Sequence, residues 1–358
     1  MTEDNNDQKS APAEAGGQHP DLVRPALSWA SDAAPPSIPS VDDQDSPADT
    51  DSAIDGLSDM STTTSLRSSM YESVKENGRT YHSYRQGKYI MPNDEQEQER
   101  LDLQHYLLGM ALRKLNLAPI GPNPKSVLDL GTGTGTWAID FAEQYPSAQV
   151  LGTDLSTIQP LNIPANCRFE IDDAEDEWMF NEPFDYIHGR ALLSCFKDPK
   201  SVFQKAFNAL TPGGYFEMQD AVFPLQSVGD LPTDSAICKW MQIIDEGSTK
   251  LGRPWHNVQY YKQWFEEVGF EDVTKKEYYF PLSAWAKGKY YKELSVYTQK
   301  NLLNGIEGMS LKIMGTMGWS AEKVRDFLPA VREDIKNKNL HLYIPFLVVY
   351  GRKPVVQT

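Results

Sequence analysis

The period of the apolar positions changes along the chain, and each change marks an element. From Lys125 onward, short apolar runs alternate with amphipathic stretches. Residues 126–131 (SVLDLG) predict a buried strand, 136–145 (TWAIDFAEQY) a helix, 148–156 (AQVLGTDLS) a second strand, 167–173 (CRFEIDD) a third and 182–190 (EPFDYIHGR) a fourth. Residues 199–210 predict a helix stopped by Thr-Pro-Gly-Gly, and 215–223 (YFEMQDAVF) a fifth strand. Short apolar strands alternating with helices imply a parallel sheet covered on both faces. Further on, 258–269 predicts a helix, 270–282 a strand, 283–337 mainly helices and 341–354 a last strand. The expected fold is α/β: a doubly wound, seven-stranded, mostly parallel sheet with helical cap insertions. Its final two strands form an antiparallel edge pair interrupted by the cap. Upstream, Leu101, Leu108, Leu112 and Leu115 recur at helical spacing, and Asp94 stands three residues before Glu97 as a helix cap.

Before position 70 the pattern lapses. Residues 1–70 hold seven prolines, one Trp and no Phe or Tyr, which is too little apolar surface to offset the entropy of ordering. They predict a disordered acidic tail, either a solvating segment or a docking and regulatory one. With 13 Asp/Glu against 3 Lys/Arg, they supply −10 of the chain's net −16. An acidic body without a basic cluster argues against a nucleic-acid partner. Cys167, Cys195 and Cys238 form no paired motif, so no metal site is expected. No apolar run reaches the ~18 residues of a membrane span, and the start has no secretory pattern. A soluble intracellular protein is expected, in cytoplasm or nucleus.

The chemistry concentrates in VLDLGTGTGTWA. Gly131, Gly133 and Gly135 follow the first strand, where the backbone can approach a ligand and the next helix aims free N–H groups at it. Asp154 closes the second strand, where a carboxylate can accept both ribose hydroxyls of an adenosine. Gly133, Gly135 and Ala138 also fit G-x-G-x-x-A, leaving an NAD-dependent oxidoreductase as an alternative. Against it stand the acidic pair Asp172 and Asp173 at the end of the third strand and the late strand pair. A dinucleotide fold would have a second mononucleotide-binding half there.

These residues, with ENGRTYHSYRQGKY, DEQEQERLDLQHYLL, FDYIHGRALLSCFKD and TPGGYFEMQD, make residues 71–358 resemble class I S-adenosylmethionine-dependent methyltransferases. More narrowly, the chain is similar to the fungal LaeA-like family, regulators of secondary metabolism and their biosynthetic relatives. The first 70 residues lie outside this resemblance. It implies S-adenosyl-L-methionine as cofactor, with Gly131, Gly133 and Gly135 along its methionine end, Asp154 on the ribose and Asp173 beside the adenine. It divides the domain into a flap and helix (71–124), a cofactor-binding core (125–227), a C-terminal part with the cap (228–337) and a last strand (338–358). A small-molecule acceptor is expected, or regulatory protein partners.

Tyr81, Tyr84 and Tyr89 are either a flap over the sulfonium or ordinary packing. Arg85 and Lys88 are alternative partners for the cofactor carboxylate. His188 and Arg190, expected just past the fourth strand, put a general base or a structural histidine near the reacting centre, with His256 as second candidate. Glu217, Gln219 and Asp220 could reach the acceptor. Trp285, Tyr290, Tyr291, Tyr297, Met309 and Met314 are expected either to wall an acceptor cleft for a flat aromatic or heterocyclic metabolite or to complete the core.

Overall fold

The computed structural model describes Ser40 and residues 73–355. The expected disordered tail therefore lies, apart from Ser40, outside the described residues. The Ser40 carbonyl accepts a hydrogen bond from the Lys287 N–H at 2.7 Å, so this residue lies against the domain.

A hairpin opens the domain: β1 (Ser73–Glu76) and β2 (Arg79–His82) pair antiparallel around Asn77-Gly78. Helix α1 (Glu95–Leu112) follows. Its N-cap is Asp94, whose side chain accepts from the Glu97 N–H and is gripped by Arg79, 2.6 Å away. The sheet proper then builds through β3 (Ser126–Leu130), α2 (Thr136–Gln144), β4 (Gln149–Asp154), β5 (Cys167–Ile171), β6 (Phe184–Arg190), α3 (Pro199–Ala209) and β7 (Leu210–Ala221). The last of these carries Thr-Pro-Gly-Gly within its own length rather than after α3, with a register irregularity against β6 between Phe184 and Tyr186. The two-residue β8 (Gln226–Ser227), α4 (Ala236–Lys250), α5 (Tyr261–Val268) and β9 (Glu271–Pro281) come next. Then follow the 28-residue α6 (Lys289–Thr316), α7 (Ala321–Lys336) and β10 (Leu342–Arg352).

The principal order across the sheet is β5-β4-β3-β6-β7-β10-β9, with β8 pairing β10 beyond the end of β7. Pairs from β5 to β7 are parallel, and β10 runs antiparallel to its three partners β7, β8 and β9. Chain order reverses at β3, which lies between β4 and β6. In an open α/β sheet the cleft beyond the strand ends at such a reversal is where ligands bind.

The two faces differ in chemistry. One carries Leu128, Leu130, Ile187, Phe216 and Met218 against α3 and α5, an apolar core. The other carries Asp129, His188, Arg190, Glu217 and Gln219 beneath α1 and α2. Here Glu217 accepts from the Leu117 and Ala118 N–H groups at 2.9 and 2.6 Å, tying the α1–β3 connection to the sheet. Gln219 donates to Glu217 at 2.7 Å. Both residues are fully buried, so they serve the fold rather than an acceptor.

The cap departs from the cleft reading. Helix α6 lies along α1 and β9. Tyr290, Tyr291 and Tyr297 pack with Leu107, Leu108 and Phe280. Met314 is fully buried among Trp240, Ile306 and Val324. Trp285 sits in a small cluster with Tyr343 and donates its indole N–H to the Leu342 carbonyl. None of these side chains lines the cavity at the strand ends. The cap completes the core and covers the sheet edge, because its apolar faces are matched by α1, α4 and α7.

Candidate active site

One cavity opens at the carboxyl ends of β3, β4, β5 and β6, with α1 and the segment before it on its other side. The space in and before it, open solvent included, is about 1120 Å³. Gly131, Gly133, Asp154, Asp173 and His188 all line it; Gly135 and Tyr84 do not.

The glycine loop turns through left-handed backbone at Gly131 (φ 61°) and Gly135 (φ 79°). A Cβ on Gly135 would meet the Phe169 ring at 2.4 Å, so this glycine lets β5 pack under the loop. A Cβ on Gly131 would meet Leu192 at 2.5 Å, on the cavity wall. The loop is fastened from three sides. Asp154 accepts from the Gly133 N–H at 2.9 Å and, with its other oxygen, from the Ser156 N–H at 2.8 Å. Asp102 of α1 accepts from the Thr134 and Thr136 hydroxyls at 2.8 and 2.9 Å. Asp129 accepts from the Thr132 hydroxyl at 2.6 Å. Burial raises the Asp154 carboxyl above the usual range, opposed by its two backbone N–H donors.

At the β5 end, Asp173 is buried, accepts from the Glu175 N–H at 2.9 Å and is ion-paired with Lys88. Lys88 also approaches Glu175 at 3.3 Å. Arg85 pairs with Asp176 in the open. The segment between β2 and α1 is thus laid across the acids that follow β5 by its cations. Of its tyrosines, Tyr89 lines the cavity, Tyr81 is buried under Lys312, and Tyr84 lies beside Arg85.

At the β6 end, His188 and Arg190 lie within the strand, not past it. His188 has no exposed surface. It stands opposite Asp129 in the parallel register and donates through Nδ1 to that carboxylate at 2.7 Å. Its ring stacks on Trp137, centroids 3.7 Å apart and planes 9° from parallel. Nε2 has no hydrogen-bond partner among the described residues. Arg190 donates to His105 Nδ1 at 2.9 Å, and His105 donates through Nε2 to Asp140 at 2.9 Å. Burial lowers the His105 pKa and brings the Arg190 pKa down to about 10. His256 pairs with Asp245 elsewhere and does not line the cavity. Cys195 does, with its thiol pushed by burial above the ordinary range. No group of potential metal ligands occurs among the described residues.

Reading motifs missed Asp129 and His105, whereas Tyr89, one of the three candidate flap tyrosines, does line the cavity. Asp129 had a visible signal, as the single acid in an otherwise apolar strand. His105 looked like one more polar residue of an amphipathic helix.

A methyltransferase-domain family model matches residues 98–275, from within α1 through the glycine loop and all the cavity's acids. Methyltransferase pytC of Aspergillus terreus is 36% identical over 327 residues, covering 90% of this chain and 98% of that protein. The chain belongs to this methyltransferase family. Its methyl donor is S-adenosylmethionine. The probable methyltransferase tdiE of Emericella nidulans is 34% identical over 261 residues, 72% of this chain and 82% of the relative. The secondary metabolism regulator laeA of Aspergillus fumigatus is 33% identical over 306 residues, 84% of this chain and 82% of the relative. A match covering 90% of the chain is longer than residues 71–358 alone, so it reaches into the first 70 residues, which the motif resemblance left out. Family membership removes the dinucleotide alternative, and the antiparallel β10 stands where a second mononucleotide half would begin. No helix among the described residues is long and apolar enough to cross a membrane.

The cavity residues fit the family's cofactor. An acceptor carboxylate at the β4 tip suits a ribose, and the flanking Leu155, Ile158, Ala174 and Phe196 suit a flat base.

Proposed function

We propose that this chain methylates a small secondary-metabolite acceptor in a fungal biosynthetic pathway. The carrying observation is the cavity itself. Asp154 and Asp173 mark a nucleoside end, while Tyr89, Pro92, Leu101 and Leu192 add an apolar wall on which a compact organic acceptor can lie. The match to almost the whole length of methyltransferase pytC favours this reading. The similarity to laeA favours a second one, regulation through protein partners or protein methylation.

Bound S-adenosylmethionine supplies a methyl group on a sulfonium, which leaves as a neutral thioether. The chain's part is then to hold the acceptor in line and to exclude water, and positioning supplies much of the acceleration. The expected base at His188 gives way to a supporting role. Because the ring is covered, stacked on Trp137 and pinned to Asp129, it acts as a positioning residue for the cavity floor. Glutamine can keep the bond to Asp129. His188→Gln is therefore expected to lower kcat less than about tenfold and to leave the pH profile of the wild type in place. A general base would instead cost on the order of 10²–10⁴ in rate and flatten the acid limb. Steady-state rates from pH 5 to 9 decide between them.

The proposal is tested by incubating the protein with methyl-labelled S-adenosylmethionine and fungal extract split into low-mass and protein fractions. Label in the low-mass fraction is expected. Label in protein alone would move the assignment to the regulatory reading.

A further inference from the structure

Arg190 makes no direct ion pair among the described residues, although the carboxylates of Asp129 and Asp140 lie near enough to favour its charge. Arg79, Arg100 and Arg253, also drawn inward, each meet a carboxylate: Asp94, Glu97 and Glu175. The hydrogen bond from Arg190 goes instead to a neutral acceptor, His105 Nδ1. Since a guanidinium only donates, that contact fixes the tautomer. His105 Nδ1 must accept, so Nε2 carries the hydrogen donated to Asp140. The relay pins one edge of the guanidinium and leaves its other N–H groups for the cavity it lines. A desolvated cation with a fixed orientation and spare donors suits a bidentate carboxylate.

The span agrees with one particular carboxylate. Asp173 follows β5 and Arg190 ends β6, three strand spacings apart across β4 and β3, or roughly 14 Å. An extended S-adenosylmethionine bridges a comparable length. With adenine at Asp173 and ribose at Asp154, its methionyl head would reach β6. The cations of the lead-in segment, the other candidates for that head, are engaged at the opposite end: Arg85 with Asp176, Lys88 with Asp173 and Glu175.

We infer that Arg190, oriented by His105 and Asp140, receives the methionyl carboxylate of the cofactor. The assignment rests on the reading of the cavity as the cofactor site. Its test is calorimetric binding to wild type, Arg190→Gln and Arg190→Lys. The ligands are S-adenosylhomocysteine and 5′-methylthioadenosine, which lacks the amino-acid head. Arg190→Gln is expected to weaken S-adenosylhomocysteine roughly ten- to hundredfold while leaving methylthioadenosine unchanged, with Arg190→Lys in between. An unchanged S-adenosylhomocysteine affinity, or an equal loss for both ligands, overturns the assignment. Should Arg190→Gln not fold, the wild type is titrated with S-adenosylmethionine and its decarboxylated form. Weakening by tenfold or more upon decarboxylation supports a carboxylate site, and equal affinity overturns it. Wild type that binds none of these adenosine ligands overturns the cofactor reading and this assignment together. Binding of both test ligands without dependence on Arg190 overturns the assignment alone.

Discussion

Asp154→Ala is expected to weaken S-adenosylhomocysteine binding about a hundredfold or more, with little loss of global stability. The carboxylate has two tasks. It ends β4 at the cavity wall, where the cofactor ribose is proposed to donate to it, and its oxygens already hold the Gly133 and Ser156 N–H groups. Removing it strips a charge-assisted acceptor from the ribose, worth roughly 1.5–3 kcal/mol, and also frees the glycine loop. The two losses compound, because the loop must be rigid to present its backbone to the ligand. Asp154→Asn separates them: its amide oxygen can keep one backbone donor, so an intermediate affinity is expected. Titration calorimetry of the three proteins measures this directly. Wild-type affinity in Asp154→Ala would remove Asp154 from the site.

Asp220→Asn is expected to stabilise the protein, and to do so more as pH rises. Asp220 is fully buried on the apolar face of β7, opposite Glu217. It accepts from the Tyr261 hydroxyl at 2.9 Å and the Leu193 N–H at 3.2 Å, and burial raises its pKa to about 7. An unfolded aspartate titrates near 3.9. Between those values the folded chain binds the proton more tightly than the unfolded chain. Stability from this group is therefore complete below pH ~4 and is lost as pH climbs to 7, by roughly 4 kcal/mol in all. Asparagine mimics the protonated carboxyl at every pH. Its advantage should be near zero at pH 4 and roughly 10 °C in Tm at pH 8. Other titrating groups cancel in the comparison of variant with wild type. The effect matters for the cavity because Leu193, which Asp220 holds, lies in the segment carrying the wall residues Leu192 and Cys195. A variant with no pH-dependent gain would show that the two donors hold the ionised form.

The parallel half of the sheet was legible because its strands are short and apolar and its helices amphipathic, and both periods survive in a single sequence. The late strand pair was legible too, since β9 and β10 flank a helical stretch too long for a simple connection. The opening hairpin was not, although Asn77-Gly78 is the two-residue turn signal for one. Both residues adopt positive φ, 55° and 82°. The surrounding tyrosines drew attention to ligand chemistry instead. Helix α4 also went unread, and it buries Ile237, Trp240 and Ile244 against α6 and α7.

In the site, Gly131, Gly133, Asp154 and Asp173 reach one cavity because they follow adjacent strand ends, a relation that strand order makes readable. What could not be read was which side a helical aromatic faces. Tyr290, Tyr291 and Tyr297 have the composition of a pocket and the position of a core, since α1 supplies a second apolar surface from nearly 200 residues upstream. The hydrogen-bond chain from Arg190 through His105 to Asp140 joins β6, α1 and α2, and no local spacing encodes it.

The central claim is that S-adenosylmethionine lies across the tips of β5, β4, β3 and β6. A crystal structure of the full chain with S-adenosylhomocysteine tests it most directly. The expected density places the ribose hydroxyls on Asp154, the adenine beside Asp173 and the homocysteine head over Gly131 toward Arg190. A ligand bound elsewhere, or bound here with the adenine at the β6 end, would contradict the account.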